Sequence, residues 1–338
     1  MNIVVIGKKN HLNWDTHVKN AFVSLGHEVK HIQINNRPFW LQFLRGTLKG
    51  ILGKKKGNKI SDSLFIREIK KQLNLFEPNL IFFTSACFIP SVFYKLSIEI
   101  NSKPKIFAWE GDGSTSSITN IYIKDFVDVF FDSQSEYVKK NLFKFANIYH
   151  LPFAVDPLVY KYSVQKRENK LYFCGAFTEE RNSIFSSLIN YNIVLKGWNW
   201  NKLSKKSDKF HIEEKTVNIK TLIADYNRYM AVLNIHQSEN AHFNSDLNMR
   251  AFEVPACGAL LINDYRTGIE KYFEPEKEIC VYRNIDELKE ILDRLKKSPK
   301  DFDSIRENGY KKVIEKHTYK HRMIKVIDIY NNLEKENS

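Results

Sequence analysis

The chain has 338 residues, which is too long for one ordinary hydrophobic core and suits two domains of about 150 residues each. Its composition, 43% apolar and 27% charged, is typical of a globular protein, and the mean hydropathy of −0.40 argues against an integral membrane protein. No run reaches the roughly 18 apolar residues that span a bilayer, and the first residues lack the layout of a signal peptide. We therefore expect a cytoplasmic protein.

Charge is the unusual feature of the composition. The chain has 52 basic and 39 acidic residues, which gives a net charge of +13. This excess indicates an anionic partner, which could be a nucleotide diphosphate, an acidic membrane surface or nucleic acid. The four cysteines are far apart and form no CxxC pair, so neither a zinc site nor a disulfide framework is expected.

Short apolar runs alternate with amphipathic segments of helix length along the first half, a pattern typical of parallel α/β layers. Six strands are predicted there, over Asn2–Ile6, Glu28–Ile34, Asn79–Thr84, Lys105–Trp109, Val127–Phe131 and Asn147–Leu151. Helices are predicted between most of these strands, over Thr16–Leu25, Leu64–Leu75, Ile89–Ile100 and Glu136–Phe145.

The alternation stops at Leu151–Lys170, where prolines and a polar stretch predict a linker, and then restarts. Strands are predicted over Leu171–Cys174, Ile193–Lys196, Met230–Ile235, Ala259–Ile262 and Glu278–Tyr282. Helices are predicted over Glu179–Ile189, Leu247–Cys257, Ile285–Lys296, Asp303–Glu315 and His321–Leu333.

The predicted fold is α/β, with two Rossmann-like domains, residues 1–155 and 165–317, and a cleft between them. A final helix, residues 318–338, is expected to cross back to the first domain. Ligands of such sheets bind at the carboxyl ends of the strands. The first βα loop has one glycine, Gly7, in place of GxGxxG, and no GxxxxGK[ST] loop occurs. An enzyme that depends on NAD or FAD is therefore disfavoured.

A strand, a polar loop, a helix and a glycine stop follow one another between Leu233 and Gly258. Arg250 and Glu253 are three residues apart near the start of that helix, so they share a face. An arginine and the positive end of a helix can bind a diphosphate, while a nearby carboxylate can accept two ribose hydroxyls. The pair therefore fits a sugar nucleotide, and the plainer alternative is an Arg–Glu pair on a solvated helix face.

The run Asn-Met-Arg-x-Phe-Glu-x-x-Ala-Cys-Gly at residues 248–258 resembles the donor-site helix of GT-B glycosyltransferases, particularly the CgeB-like (spore-maturation-type) group. Further matches are Phe173–Arg181, Leu233–His236, Glu278–Tyr282, His317–Arg322 and the linker Leu151–Pro157. The resemblance covers the second half almost end to end and the first half mainly in topology.

The resemblance implies a nucleotide-diphosphate sugar bound as substrate by the second domain, with no cofactor, and an acceptor bound by the first. Glu253 would hold the ribose hydroxyls and Arg250 the diphosphate, a pairing similar to that of phage DNA glucosyltransferases. Arg181 would be a second diphosphate ligand, and Asn248 belongs to the same implied donor site. His236 would lie near the sugar or phosphate, the alternative being a half-buried histidine at a strand end.

The sequence departs from the pattern of many retaining GT-B enzymes at one position. These enzymes carry a further glutamate eight residues before the ribose-binding one, and Ser245 occupies that position here. Asp246 is a candidate substitute for the missing acid.

Glu110 and Asp112 are the candidate catalytic acids, in the loop after the fourth strand. Inverting transfer needs a carboxylate to take the acceptor proton, and the neighbouring glycines let a ligand approach the backbone. Either acid fits the role of base, and an ordinary Asp-Gly surface turn is the alternative. No metal is required, because Arg181, Arg250 and helix dipoles can neutralise the leaving diphosphate.

Residues 37–59 contain seven basic residues and no acid, interleaved with aromatic and aliphatic residues. This spacing is typical of an amphipathic helix at the surface of an anionic membrane, which would suit a lipid-linked acceptor. The candidate surface residues are Arg37, Trp40, Arg45, Lys49, Lys54, Lys55 and Lys56. The alternatives are a helix packed on the first domain and a patch for the DNA backbone.

These features together predict a metal-independent GT-B glycosyltransferase. Its acceptor hydroxyl is expected on a lipid-linked or cell-surface glycan or on a protein, with nucleic acid less favoured, and the cytoplasmic chain could associate with a membrane surface. The alternatives are a DNA-modifying glycosyltransferase and a non-catalytic protein of the same fold that binds nucleotide sugars.

Overall fold

The computed structural model describes residues 1–9, 14–111, 123–142, 147–236 and 246–336. The chain divides into two compact units, one formed by Met1–Leu151 with Met323–Ser338 and the other by Pro152–Arg322. Each unit contains a six-stranded sheet. The last helix begins in the second unit and returns to the first from Met323 onward, as the sequence predicts.

The first unit is built on a parallel sheet whose strands are all close to their predicted positions. The strands are β1 Asn2–Gly7, β2 Glu28–Gln33, β3 Leu80–Thr84, β4 Lys105–Glu110, β5 Val129–Asp132 and β6 Ile148–His150, in the order β2-β1-β3-β4-β5-β6. The helices described with them are α1 Trp14–Ser24, α2 Phe39–Phe76, α3 Ser91–Ile98 and α4 Ser135–Asn141. Every residue of β3 is buried, as expected for a parallel strand covered on both faces.

Helix α2 is much longer than the predicted Leu64–Leu75 and is broken at Gly53, whose φ of 77° and ψ of 159° are not helical. We call residues 39–52 the first arm and residues 54–76 the second arm. A Cβ on Gly57 would lie 2.6 Å from the main-chain carbon of Leu48 and 2.6 Å from the main-chain nitrogen of Lys49. The two arms therefore form a helical hairpin whose close contact depends on a glycine.

The buried residues of the second arm recur every fourth position, which attaches the hairpin to the first unit. They are Gly57, Ser61, Phe65, Ile69 and Leu73. The Phe65 ring packs edge-on against that of Phe93 in α3, with 6.4 Å between the centroids. No helix within the described ranges is both long and apolar enough to cross a bilayer.

The second unit repeats the parallel architecture. Its strands are β7 Glu168–Cys174, β8 Ile193–Lys196, β9 Phe210–Glu213, β10 Tyr229–Asn234, β11 Leu260–Asp264 and β12 Cys280–Tyr282, in the order β12-β11-β10-β7-β8-β9. Its helices are α5 Glu179–Ser186, α6 Ile219–Arg228, α7 Arg250–Ala256, α8 Ile285–Lys297 and α9 Asp303–Lys316, and α10 Tyr319–Glu336 begins there. From β7 the later strands β8 and β9 lie on one side, and β10, β11 and β12 lie on the other. The boundary between β7 and β10 is therefore the topological switch point of this sheet.

Two elements of the second unit, β9 and α6, are missing from the sequence prediction. Strand β9 is a four-residue edge strand with no buried residue, so it lacks the apolar run that marks the other strands. Helix α6 begins after Asn218, whose side chain accepts a hydrogen bond from the main-chain nitrogen of Thr221 at 3.0 Å. That cap is the sequence signal that could have located the helix.

The matched segment His317–Arg322 contacts the first residues of the second unit. The Arg322 guanidinium donates to the main-chain oxygens of Pro152 and Phe153, each at 2.9 Å. His317 Nε2 lies 3.0 Å from the main-chain oxygen of Tyr272, which can only accept, so Nε2 carries the proton and Nδ1 accepts from Arg322 Nη2 at 3.2 Å. Burial and the neighbouring Arg322 charge lower the pKa of His317 to about 3.

This neutral histidine predicts a loss of stability at acid pH. In the unfolded chain its pKa is 6.5, so between pH 6.5 and about pH 3 the unfolded state binds more protons than the folded state. The stabilisation is complete above pH 6.5, and about 2 kcal/mol of it is lost between pH 7 and pH 5. Urea unfolding across that range should show this slope in the parent. The loss should be about 2 kcal/mol smaller in His317→Gln, which keeps a donor for Tyr272, and equal losses would contradict the assignment.

Candidate functional site

Arg250 joins the carboxyl ends of β7 and β10, the neighbouring strands at which the chain order reverses. Its Nη2 donates to the main-chain oxygen of Cys174 at 2.5 Å, and its Nη1 donates to Asn234 Oδ1 at 2.7 Å. A crevice outside such a switch point is where ligands bind in open α/β sheets. Arg250 is therefore placed where a ligand of this sheet is expected.

Arg181 makes a second connection between the same strand ends. Its Nη1 donates to the main-chain oxygen of Ala176 at 2.8 Å and its Nη2 to that of Ile235 at 2.9 Å. The Phe173 ring lies beside both guanidiniums, with its centroid 5.1 Å from Cζ of Arg181 and 5.6 Å from Cζ of Arg250. The structure thus brings together the two arginines that the resemblance assigns to the diphosphate.

The positive charge of these two arginines is not neutralised by the hydrogen bonds just described. All four acceptors are uncharged oxygens. The Nε–H group of each guanidinium is buried and has no acceptor among the described residues. Burial and the nearby Arg250 charge lower the pKa of Arg181 to about 10. The electrostatics at Arg181 therefore favour a nearby anion.

Glu253 lies one turn after Arg250 in α7, which begins at Arg250 rather than at the predicted Leu247. Its carboxylate is buried, and Oε1 accepts a hydrogen bond from Tyr160 Oη at 2.7 Å. Burial and the Glu253 charge raise the pKa of Tyr160 well above its usual range, so this hydroxyl remains a donor. Glu253 is thus held in one orientation and does not lie on a solvated helix face.

His236 and Asn248 belong to a polar network at the ends of β10 and β11. His236 Nδ1 lies 2.6 Å from Asp264 Oδ1, and the main-chain nitrogen of Asn248 donates to His236 Nε2 at 3.2 Å. Since Nε2 accepts, the proton is on Nδ1 and is donated to Asp264. Burial lowers the pKa of His236, which keeps the ring neutral. His236 therefore fixes the backbone just before α7.

Glu110 ends β4 in the first unit and is buried. Its Oε2 accepts from the main-chain nitrogen of Cys87 at 2.7 Å and its Oε1 from that of Gly111 at 2.8 Å. The other candidate acid, Asp112, lies outside the described residues. Within the described ranges, no group of three His, Cys, Asp or Glu side chains is arranged to hold a metal ion.

The acid considered as a substitute in the donor site, Asp246, is buried and accepts a hydrogen bond from the hydroxyl of Tyr272. Ser245, the position of the missing glutamate, lies outside the described residues. The hydrogen bond from Tyr272 gives Asp246 a partner within the protein, and its role as a substitute acid stays a prediction.

Several further residues contact the candidate site residues and are not predicted from the sequence. Asn234 and Asp264 each end an apolar strand with a polar side chain, and this change of pattern is a signal that could have identified them. Phe173 is the first residue of the run Phe173–Arg181, which by itself predicts no role for its ring. Tyr160 lies in the predicted linker, where nothing in the local sequence indicates a contact with Glu253, 93 residues later.

The second half of the sequence matches a known protein family, and the fold matches known structures. Residues 175–328 match the family model described as "Glycosyl transferase-like". No curated protein matches the chain in sequence.

Solved structures similar to this chain cover almost its whole length. The sucrose-phosphate synthase of Thermosynechococcus elongatus is 12% identical with a TM-score of 0.67, and the match covers 99% of this chain and 100% of that one. An alpha-glucosyltransferase in complex with UDP is 12% identical with a TM-score of 0.69, covering 98% and 100%. The HepE protein of Anabaena in complex with UDP-glucose is 10% identical with a TM-score of 0.65, also covering 98% and 100%.

These likenesses confirm the predicted two-sheet α/β fold over nearly the whole chain, whereas the narrower CgeB-like assignment stays a prediction. The family match lies in the half of the sequence that carries the resemblance. The chain therefore has the fold of the GT-B glycosyltransferases.

Proposed function

We propose that the protein transfers a sugar from a nucleotide-diphosphate sugar to an acceptor hydroxyl. The observation that carries this proposal is the position of Arg181 and Arg250, which connect β7 and β10 at the switch point of the second sheet and have uncharged acceptors. The donor diphosphate would bind against these guanidiniums. The family match over residues 175–328 supports the same reaction class.

The chemistry of the leaving group explains why two arginines suit this position. When the bond to the sugar breaks, negative charge develops on the diphosphate, and donors fixed in advance in a water-poor site stabilise that charge. The planar guanidinium matches phosphate oxygens with paired N–H groups. A bound diphosphate would also relieve the repulsion that lowers the pKa of Arg181. We propose that these groups neutralise the leaving diphosphate without a metal ion, so activity should persist in EDTA.

The nucleoside part of the donor is assigned to Glu253. Its carboxylate, held by Tyr160, would accept the two ribose hydroxyls. Asn248, just before α7, and His236, just after β10, would lie beside the sugar or phosphate. Two of the similar solved structures contain UDP or UDP-glucose, which supports a UDP-sugar as the donor.

The acceptor would be activated by an acid in the first unit. Both oxygens of Glu110 already accept main-chain N–H groups, so its structural role is to position the end of β4. We therefore assign the proton transfer to Asp112 and the positioning role to Glu110.

Replacing either guanidinium should weaken nucleotide binding. Arg181→Met and Arg250→Met each remove charge-assisted hydrogen bonds to the diphosphate, and the Kd for UDP should rise about 10- to 100-fold. Isothermal titration with UDP measures this effect. Glu253→Gln should weaken UDP binding while leaving the affinity for inorganic diphosphate unchanged.

Arg167 provides the matched control for this experiment. It is another arginine of the second unit that donates to main-chain oxygens, those of Tyr226, Tyr229 and Cys257, but it precedes the amino end of β7. Arg167→Met should lower the unfolding temperature and leave the Kd for UDP unchanged. If Arg181→Met and Arg250→Met behave in the same way, the two arginines are structural and the assignment is wrong.

Substitutions of Asp112 and Glu110 should have different effects on the rate of sugar transfer. Loss of a general base lowers kcat by about 100- to 10,000-fold, so we expect this for Asp112→Asn with an unchanged Kd for UDP. Glu110→Gln places an amide N–H group against a main-chain N–H group, and it should mainly lower the unfolding temperature. Full activity in Asp112→Asn would show that no base acts there.

The same assay decides between the remaining function classes. An alpha-glucosyltransferase of this fold is known in complex with UDP and DNA, so duplex DNA belongs among the acceptors tested, beside lipid-linked, glycan and protein acceptors. Transfer to DNA that is strongly weakened by salt would identify a DNA-modifying enzyme. Binding of UDP-sugars without hydrolysis or transfer to any acceptor would identify a non-catalytic binding protein.

A further inference from the structure

The first arm of α2 exposes four large apolar side chains on one uncharged face, called the apolar face below. Its large exposed side chains are Phe39 (83% exposed), Trp40 (53%), Phe43 (72%) and Ile51 (74%). At the helical period these residues fall within an arc of about 120°, and the other positions in that arc are Thr47 and Gly50. The face therefore carries no charge over about three turns. Single exposed apolar residues are ordinary, but a group of large apolar side chains on one uncharged helix face indicates a binding surface.

Residues on the opposite face of the first arm make contacts within the first unit, so the orientation of the exposed face is fixed. Leu41 is buried, and the Leu48 backbone lies against Gly57 of the second arm. Arg45 Nε donates to Asn58 Oδ1 at 2.8 Å, which joins the two arms.

Arg37 fastens the start of the hairpin. Its guanidinium donates to Asp62 Oδ1 at 2.7 Å, and its Cζ lies 4.7 Å from the centroid of the Phe65 ring. Arg37 and Arg45 are predicted from the sequence as surface residues, but in the structure both make contacts with residues of the hairpin.

Basic residues are concentrated at the tip of the hairpin, next to the apolar face. Lys54, Lys55, Lys56 and Lys59 are all exposed. No acidic residue occurs between positions 37 and 59, and the nearest one beyond them, Asp62, is paired with Arg37. The tip therefore presents a cluster of hydrated cations that matches an anionic surface.

We propose that this hairpin docks on an anionic lipid bilayer, with Phe39, Trp40, Phe43 and Ile51 entering the interfacial region and the lysines of the tip contacting lipid headgroups. Apolar burial and attraction to anionic lipid together are what hold an amphipathic helix in a membrane interface. Trp40 suits that region because its ring is amphipathic. A duplex of DNA would attract the lysines but leave the apolar face in water, which is why the observations favour lipid.

This inference does not rest on the proposed transferase activity. The hairpin belongs to the first unit, whereas the proposed donor site is built from residues of the second unit. Loss of nucleotide binding and loss of vesicle binding are therefore separate results from separate variants.

Co-sedimentation with vesicles tests the proposal on the full chain. Vesicles of equal parts phosphatidylcholine and phosphatidylglycerol should bind the protein, vesicles of phosphatidylcholine alone should bind it much less, and added salt should weaken binding. Lys54→Glu/Lys55→Glu/Lys56→Glu should reduce the vesicle affinity by about 100-fold or more. The matched control is the reversal of three exposed lysines of the second unit, Lys202→Glu/Lys205→Glu/Lys206→Glu, which should bind vesicles as the parent does.

The apolar contribution is tested in the same assay. Phe39→Ser/Phe43→Ser should reduce the vesicle affinity at least about tenfold, because two large apolar groups no longer enter the interface. Leu75→Ser is the control, since Leu75 is 76% exposed near the end of the second arm. Both variants alter exposed side chains, so the fold should be retained.

Tryptophan fluorescence reports insertion directly. Trp40 and Trp198 are 53% and 54% exposed, whereas the other three tryptophans of the chain are buried. Anionic vesicles should shift the emission of the parent and of Trp198→Phe to shorter wavelength. Trp40→Phe should show no shift even when it is vesicle-bound.

Three results would overturn the proposal. One is the absence of binding to the anionic vesicles. The second is binding to duplex DNA without binding to vesicles, which would identify a nucleic-acid surface. The third is a dimer in sedimentation velocity that Phe39→Ser/Phe43→Ser dissociates, which would show that a second copy covers the apolar face.

Discussion

The connection between β7 and β10 through two guanidiniums is the interaction on which the proposed chemistry of this protein depends. Neighbouring parallel strands diverge at their carboxyl ends when their chain connections run in opposite directions, and a crevice opens there. Arg250 and Arg181 cross this crevice to main-chain and amide oxygens on either side. The same hydrogen bonds hold together the carboxyl ends of these two central strands and fix the orientation of both guanidiniums.

The residues around the arginines keep this arrangement rigid. Asn234 Nδ2 donates to Asn263 Oδ1 at 2.6 Å and also to Asn248 Oδ1 at 3.0 Å, which links two strand ends to the start of α7. His236, neutral and bonded to Asp264, fixes the backbone of Asn248. Buried polar groups are costly unless they are paired, and here their pairing holds the donor groups in fixed positions. A site organised in this way needs little rearrangement when an anion binds.

The sequence predicts the sheets and most helices well because their signals are local. An apolar run of five residues such as β3 is visible without knowing its neighbours. Strand β9 gives no such signal because it is a short, half-exposed edge strand. Contacts between residues distant in sequence could not be predicted, because they depend on how separate segments pack. Tyr160 and Glu253, for example, are 93 residues apart. The hairpin of α2 was likewise visible only as an amphipathic segment, since its turn depends on the non-helical backbone of Gly53.

Positive charge takes two chemically different forms at the two surfaces discussed above. At the hairpin tip it is carried by exposed lysines, whose compact ammonium groups remain hydrated and attract any anionic surface without fixed geometry. At the end of the second sheet it is carried by arginines, whose planar and weakly hydrated groups can be held in a fixed orientation with limited access to water. A lysine at position 250 could not span from Cys174 to Asn234 with two fixed donors. The residue types thus suit the two proposed tasks, one a diffuse attraction and the other an oriented recognition of phosphate.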